Sequence, residues 1–375
     1  VQAGYSYQNF KNDGNKDEFR NDEVTGERIP NIDPENPNNR YYNTLNLQSF
    51  FGRSNINLGD RYLLTLSFRA DGSSFFTEDN RWGYFPAAAL AWKVKEESFM
   101  KDVNFINDFK IRAGWGETGQ QDISGSVGFY PSIPLFEVGS PNSQFIEGVT
   151  LYNAKEFNPD LTWEKTTTYN LGFDFDFFTN SFLTGSFDLF KRETTDLLVL
   201  TNVPPGQALS DRLIQNVGST DSEGFELNLN VNPVQSESVN LSVNGNISYN
   251  LTEVTDLDGA EQIPAGGNLP IGTGNFLLRH ALGEQIGSAW VLKQVYDVDG
   301  KPVNGSFVDL NGDGNITDDD RYYRAIQPNW TFGFGLNMNV KNWNFSASFR
   351  GQLDGEIYNG RRLTNGVIDN VVAQD

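Results

Sequence analysis

Apolar and polar residues alternate with a period of two along much of this chain. Tyr169, Leu171, Phe173, Phe175 and Phe177 share one parity; Thr168, Asn170, Gly172, Asp174 and Asp176 share the other. Successive side chains of an extended strand point to opposite faces, so this segment predicts a strand with one aromatic face and one polar face. A short turn at 178–181 leads to Leu183, Phe187 and Leu189, opposed by Thr184, Ser186, Asp188 and Arg192. Together the two runs predict a long hairpin with a greasy side and a wet side.

The pattern recurs. Phe225, Leu227, Leu229 and Val231 alternate with Glu226, Asn228, Asn230 and Asn232, and a turn at 233–238 follows. Val239, Leu241, Val243, Ile247 and Tyr249 then alternate with Asn240, Ser242, Asn244, Asn246 and Ser248. Near the end, 330–340 and 343–350 alternate on either side of a tight turn at Lys341 and Asn342. Noisier strands are predicted at 1–7, 45–53, 61–70, 84–94 and 109–116. The total is about eleven, most near the roughly 9–11 residues that cross a bilayer at a tilt.

Connections alternate between short turns, ending at Ser181, Ser238 and Asn342, and long segments at 8–43, 117–164, 193–221 and 255–329. Outer-membrane barrels have short periplasmic turns and long extracellular loops. That asymmetry orients the chain: 1–7 ascends, and the chain leaves outward after Gln352. A soluble sandwich or jelly roll would also alternate, but with turn signals about every 8–12 residues and short loops at both ends. The expected fold class is therefore all-β, an antiparallel transmembrane β-barrel. An odd strand count is unusual for a bacterial single chain, which points to an incomplete barrel.

Composition narrows the function classes. Aromatics are 13% of 375 residues, yet only 38% are apolar, and no stretch is apolar for the roughly 18 residues a membrane helix needs. This fits a surface apolar on one face, as in a membrane barrel or a sandwich. The net charge of −21, without clustered Lys and Arg, argues against nucleic acid. The absence of cysteine excludes disulfides, thiol catalysis and zinc–thiolate sites, and fits a Gram-negative envelope protein. The chain starts at Val1 without a signal-like segment, and it reads as an internal fragment.

Five segments, in order, resemble the SusC/RagA family of TonB-dependent outer-membrane transporters, typical of Bacteroidetes. They are DRYLLTLSFRADGSSFFTEDNRWGYFPAAALAWKVKEESFM (60–100), KIRAGWGETGQQDIS (110–124), NPDLTWEKTTTYNLGFDFDFF (158–178), NVGSTDSEGFELNLN (216–230) and DLNGDGNITDDDR (309–321). The resemblance implies a barrel of about 22 strands, of which 1–375 would be a part without plug, TonB box, or first and last strands. It also implies TonB and a SusD-like surface lipoprotein as partners, beside the lipid bilayer. The expected function is import of nutrient oligosaccharides or peptides. A passive porin or surface-binding barrel, and a secreted carbohydrate-binding β-sandwich, stay open as alternatives.

The sharpest local motif is an EF-hand-type loop. Asp309, Asn311 and Asp313 supply oxygens at positions 1, 3 and 5, and Gly314 the sharp turn at 6. Asn315 offers a carbonyl at 7, Thr317 stands at 9 and Asp320 at 12. Such hard oxygen ligands suit a structural Ca2+ that orders the 255–329 loop; a solvated Asx turn is the plainer alternative. Asp320 is shorter than the usual Glu, which makes bidentate closure harder.

No catalytic residue is predicted. His280, the sole histidine, has no nucleophile motif beside it. Asp174 and Asp176 share one strand face and read as lumen-lining, and Asp188 with Arg192 is a possible pair. Trp82, Tyr84, Trp92, Trp163, Trp330 and Trp343 lie near strand ends, as girdle or loop-packing residues would; Trp82 and Trp163 could instead stack on sugar rings.

Overall fold

The computed structural model describes residues 1–375 apart from 16–18, 22–23, 26, 31–39, 123–127, 139–145, 147–148, 150, 205, 207–211, 269–275 and 360–375. The end of the predicted 110–124 motif, Ile123 and Ser124, lies outside the described residues.

Eleven strands form one antiparallel sheet in chain order. They are β1 (Gln2–Asn15), β2 (Arg40–Leu58), β3 (Tyr62–Ser73), β4 (Trp82–Lys93), β5 (Ile106–Gln120) and β6 (Glu164–Phe177). After them come β7 (Leu183–Thr195), β8 (Ser219–Gln235), β9 (Val239–Asp256), β10 (Trp330–Val340) and β11 (Trp343–Leu353). Strands β1 and β11 are the two edges and do not pair with each other. Hydrocarbon tolerates no open sheet edge, so the sheet is part of a barrel wall and not a small closed barrel. Among the described residues no helix is long and apolar enough to cross a membrane.

Register confirms the two-faced reading. Phe173 pairs with Phe187 and Ile111, and Phe187 with Leu227, so these side chains share the outer face. That face is exposed along the sheet: Leu189 is 41% accessible, Phe334 45% and Phe349 63%. An apolar, exposed face of this extent suits lipid. From Phe177 to Tyr169 it runs about 27 Å along the strand, at about 3.4 Å per residue.

Its upper limit is marked by charge. Lys191, on the same face beyond Leu189, pairs with Glu193 at 2.7 Å and Asp221 at 3.3 Å. Just below, Trp330 packs on Tyr249 with ring centroids 4.9 Å apart. At the periplasmic end Tyr62 stacks on Trp92. Both donate hydrogen bonds to Glu97, at 2.7 and 3.1 Å, and Arg61 adds an ion pair at 3.1 Å. Donation from Tyr62 and then Trp92 holds the Glu97 carboxyl below the usual carboxylate range. Trp343 sits exposed at the two-residue turn between β10 and β11. Of the aromatics expected near strand ends, Trp92, Trp330 and Trp343 stand there on the outer face, where a girdle would place them.

Several strands are longer than their patterns predict. β1 continues to Asn15 and β2 begins at Arg40, with Phe10 opposite Leu45 and Asp13 opposite Tyr42. The ladder continues beyond the apolar band, where the strands meet water or the outer loops in place of lipid and the apolar alternation lapses. The turn predicted at 233–238 is also shorter: β8 runs through Pro233 to Gln235, with a register shift between Val231 and Val234. A bulge accommodates the missing proline donor.

The outer loops carry their own core. Phe75, Phe76, Phe85, Leu161, Trp163 and Ile214 form a buried cluster with Leu45. Between β9 and β10, Gln262–Asn268, Phe276–Ala281, Ser288–Leu292 and Arg321–Arg324 form a four-stranded loop sheet. Bridges from Glu253 to Gln285 and from Val254 to Leu282 tie it to β9.

Candidate functional site: inner wall and outer loops

The inner face begins with residues of opposite parity to the lipid face. On β5, Arg112 reaches Asp174 of β6 at 2.8 Å and Asp188 of β7 at 3.0 Å, and Lys110 reaches Asp174 at 2.6 Å. To touch β7, the guanidinium must cross β6 directly above Gly172, which pairs with both Arg112 and Asp188. A Cβ at 172 would lie 2.5 Å from Asp188 Oδ1 and 2.7 Å from Arg112 Cζ. Glycine therefore makes the cross-strand network possible by close approach. Asp176, nearer the periplasm, accepts from Asn107 at 3.0 Å and Ser181 at 2.7 Å.

Asp174 and Asp176 thus line the lumen face, as expected. The pairing of Asp188 with Arg192 does not occur. Asp188 belongs to Arg112, while the Arg192 guanidinium lies 4.7 Å from the centre of the Phe190 ring. Sequence reasoning missed Arg112 and Lys110; their parity opposite Ile111 was the available signal.

From β8 to β11 the inner face changes to amides and hydroxyls. Asn228 pairs with Asn246 and Asn230 with Asn244. Ser242 donates to Asn230 at 3.0 Å, and Ser248 lies 2.6 Å from Thr331. A groove of about 650 Å³ is lined by Asn244, Asn246, Thr331, Ser348, Arg350 and Gln352, together with Phe332, Phe334 and Phe349. This surface offers hydrogen bonds with little fixed charge.

In the outer loops, the Asp309–Asp320 segment has EF-hand-like turns. Asp309 accepts from the Gly312 and Gly314 amides at 2.7 and 2.8 Å, and Asp313 from the Asn315 amide at 2.7 Å. Asn311 Oδ1 accepts from the Asp313 amide at 2.9 Å. Gly314 adopts φ +85°, a conformation glycine favours at position 6. Asp320 is fully buried and accepts from the Thr317 and Leu310 amides at 2.8 and 2.7 Å. These backbone bonds, Thr317 foremost, hold its carboxyl below the usual range. Thr317 and Asp320 form a capping box around a short 3-10 turn. Among the described residues no three of His, Cys, Asp and Glu converge on a metal position. The structure thus brings together the turn, with Asp320 engaged by backbone amides.

Trp163 is buried, and its Nε1–H donates to the Arg81 carbonyl at 3.0 Å, so it packs the loop core. Trp82 stacks on Phe50 at 6.0 Å. His280 accepts the Gly287 N–H at Nδ1, 3.1 Å away, and burial lowers its pKa.

A family model described as TonB-dependent receptor-like β-barrel matches residues 2–362. The chain belongs to this family. It is an outer-membrane protein. The TonB-dependent receptor SusC of Bacteroides thetaiotaomicron is 40% identical over 320 residues, covering 83% of this chain and 32% of that relative. TonB-dependent receptor P26 of Formosa agariphila is 32% identical over 356 residues, covering 91% of this chain and 35% of that relative. The chain therefore spans about a third of the length of these relatives. A solved structure of the RagAB peptide transporter shares the fold, with TM-score 0.76 at 21% identity, covering 97% of this chain and 40% of that one. SusC and RagAB match the resemblance read from the five motifs. The relatives are receptors and transporters, not enzymes.

Proposed function

We propose that this TonB-dependent receptor barrel segment forms wall and outer loops of an importer of nutrient oligosaccharides or peptides. Cargo would be captured at the outer loops with a SusD-like lipoprotein and released inward when TonB moves a plug. The observation that carries this reading is the sheet itself: an apolar face for lipid, a polar inner face, and folded outer loops. Likeness to SusC and to the RagAB fold supports it. The test is uptake of labelled oligosaccharides and peptides by cells carrying the full-length protein, with and without TonB. Uptake that requires TonB is expected; equal uptake without TonB would favour the passive porin.

We also propose that the Asp309 loop holds a structural Ca2+ through Asp309, Asn311, Asp313 and the Asn315 carbonyl, with Thr317 and Asp320 closing it. The Asx-type turns and the Gly314 conformation support this reading. Calcium would neutralise the loop carboxylates and fix its path. Calcium should protect 309–320 from hydrogen exchange in the full-length protein, and Asp309→Ala should abolish that protection. Equal protection in the variant would remove the assignment.

A further inference from the structure

Arg279 stands apart from the other outer-loop charges. On the loop sheet it pairs with Ser288, while Trp290 pairs with Tyr323 and Leu292 with Arg321. The strand period of two therefore puts Arg279, Trp290, Tyr323 and Arg321 on one face. Both guanidinium carbons lie 4.9 Å from the Trp290 ring centre. Their other partners differ. Arg321 is neutralised by Asp318 at 2.7 Å and donates to the Trp290 carbonyl at 3.4 Å. Among the described residues Arg279 has no carboxylate partner, and its Nε is buried without an acceptor. A buried donor without an acceptor is disfavoured and calls for a reason. It is the more notable in a chain of net charge −21, where carboxylates are plentiful.

We propose that Arg279, held on the Trp290 face, is a receptor for a carboxylate group of the cargo. Stacking on the indole fixes the plane of the guanidinium. The terminal N–H donors, which the buried Nε leaves as the end that meets a ligand, then match a carboxylate in charge and geometry. The Tyr323 hydroxyl is already committed to Gln262 at 3.0 Å and Arg321 to Asp318, which leaves Arg279 as the uncommitted donor group on this face. The anion thus belongs at the Arg279 end. The word cargo rests on the importer reading; the carboxylate site does not. Two sources share this chemistry, a uronic acid and a peptide carboxylate.

The experiment uses the full-length protein in detergent and titrates digalacturonate, its methyl ester, N-acetyl-dialanine and its amide, following heat of binding. At least one acid should bind about tenfold tighter than its neutral counterpart, the gain of one charge-assisted pair. Uronate or peptide preference tells which source applies. Arg279→Met should erase that difference, and Arg279→Lys should keep only part of it. Thermal unfolding of both variants checks the fold, and the Lys variant carries the test should the Met variant fail to fold. Acids that bind no better than their neutral forms, or a difference that survives Arg279→Met, would overturn the proposal. Binding that persists in a protein without TonB-dependent uptake would instead sink the importer reading and leave the site standing.

Discussion

The inner wall is polar from β5 to β11, yet its two halves are built differently. In β5–β7 the polar groups are ions, and they satisfy one another: Lys110 and Arg112 hold Asp174, and Arg112 also holds Asp188. In β8–β11 they are mainly amides and hydroxyls, such as Asn228, Asn230, Asn244 and Asn246, facing one another across strands. The first half is closed chemistry that fixes three strands to one another. The second keeps hydrogen-bonding capacity toward water or a solute. A polar face can thus be scaffold on one side and open surface on the other without any change in strand pattern.

Substitutions can break this comparison. Arg112→Ala leaves Asp174 and Asp188 without their shared cation. The cost should be about 2 kcal/mol, less than for a fully buried pair because the network is partly hydrated. Denaturant midpoints of the full-length protein in detergent measure it. Gly172→Ala should cost about 1–2 kcal/mol by pushing the guanidinium off its path. That cost should largely vanish in an Arg112→Ala background, as a double-mutant cycle would show; additive costs would deny that glycine serves the ion pair. On the amide wall, Asn246→Ala should stay within about 0.5 kcal/mol. A loss there as large as at Arg112 would erase the distinction.

The smallest effect concerns pH. Burial favours neutral His280, whose Nδ1 accepts the Gly287 N–H. With the folded pKa below the ordinary 6.5, the neutral form's contribution is present above that value and is lost as pH falls through the folded pKa. Hydrogen exchange at 278–290 should therefore quicken on acidification from pH about 7.5 to about 5.5. Exchange unchanged at 278–290 would reject the role given to His280.

Much of this was legible because lipid and water impose opposite demands on alternate residues. Strand faces, turn sides and the hairpins from β6 to β11 follow from that alone. What escaped lies where the demand lapses. The upper reaches of β1, β2 and β5 meet water or loop residues in place of lipid, so Asn9, Asn12 and Asp13 carry no strand signature. Arg112 was invisible as a partner of Asp188 because they stand 76 positions apart and meet only across Gly172. Asp188 and Arg192 sit on one strand face, but Arg192 turns to Phe190 instead. Trp163 looked like a strand-end aromatic; the loop core that buries it is assembled from distant segments. The Asp309 loop was read from spacing, but the commitment of Asp320 to backbone amides was not.

The central claim is that alternate residues of one strand face lipid and lumen. Leu229 and Asn228 are neighbours on β8. Leu229 pairs with Gly185 on the outer face, and Asn228 with Ser186 on the inner face. The decisive measurement is membrane assembly of full-length Leu229→Arg and Asn228→Arg, scored by the folded fraction in outer membranes. Leu229→Arg should assemble poorly, since a lipid-facing cation near mid-depth costs about 2–4 kcal/mol, and Asn228→Arg should assemble nearly as the parent does. Equal assembly of the two variants, or the reverse order, would contradict the account.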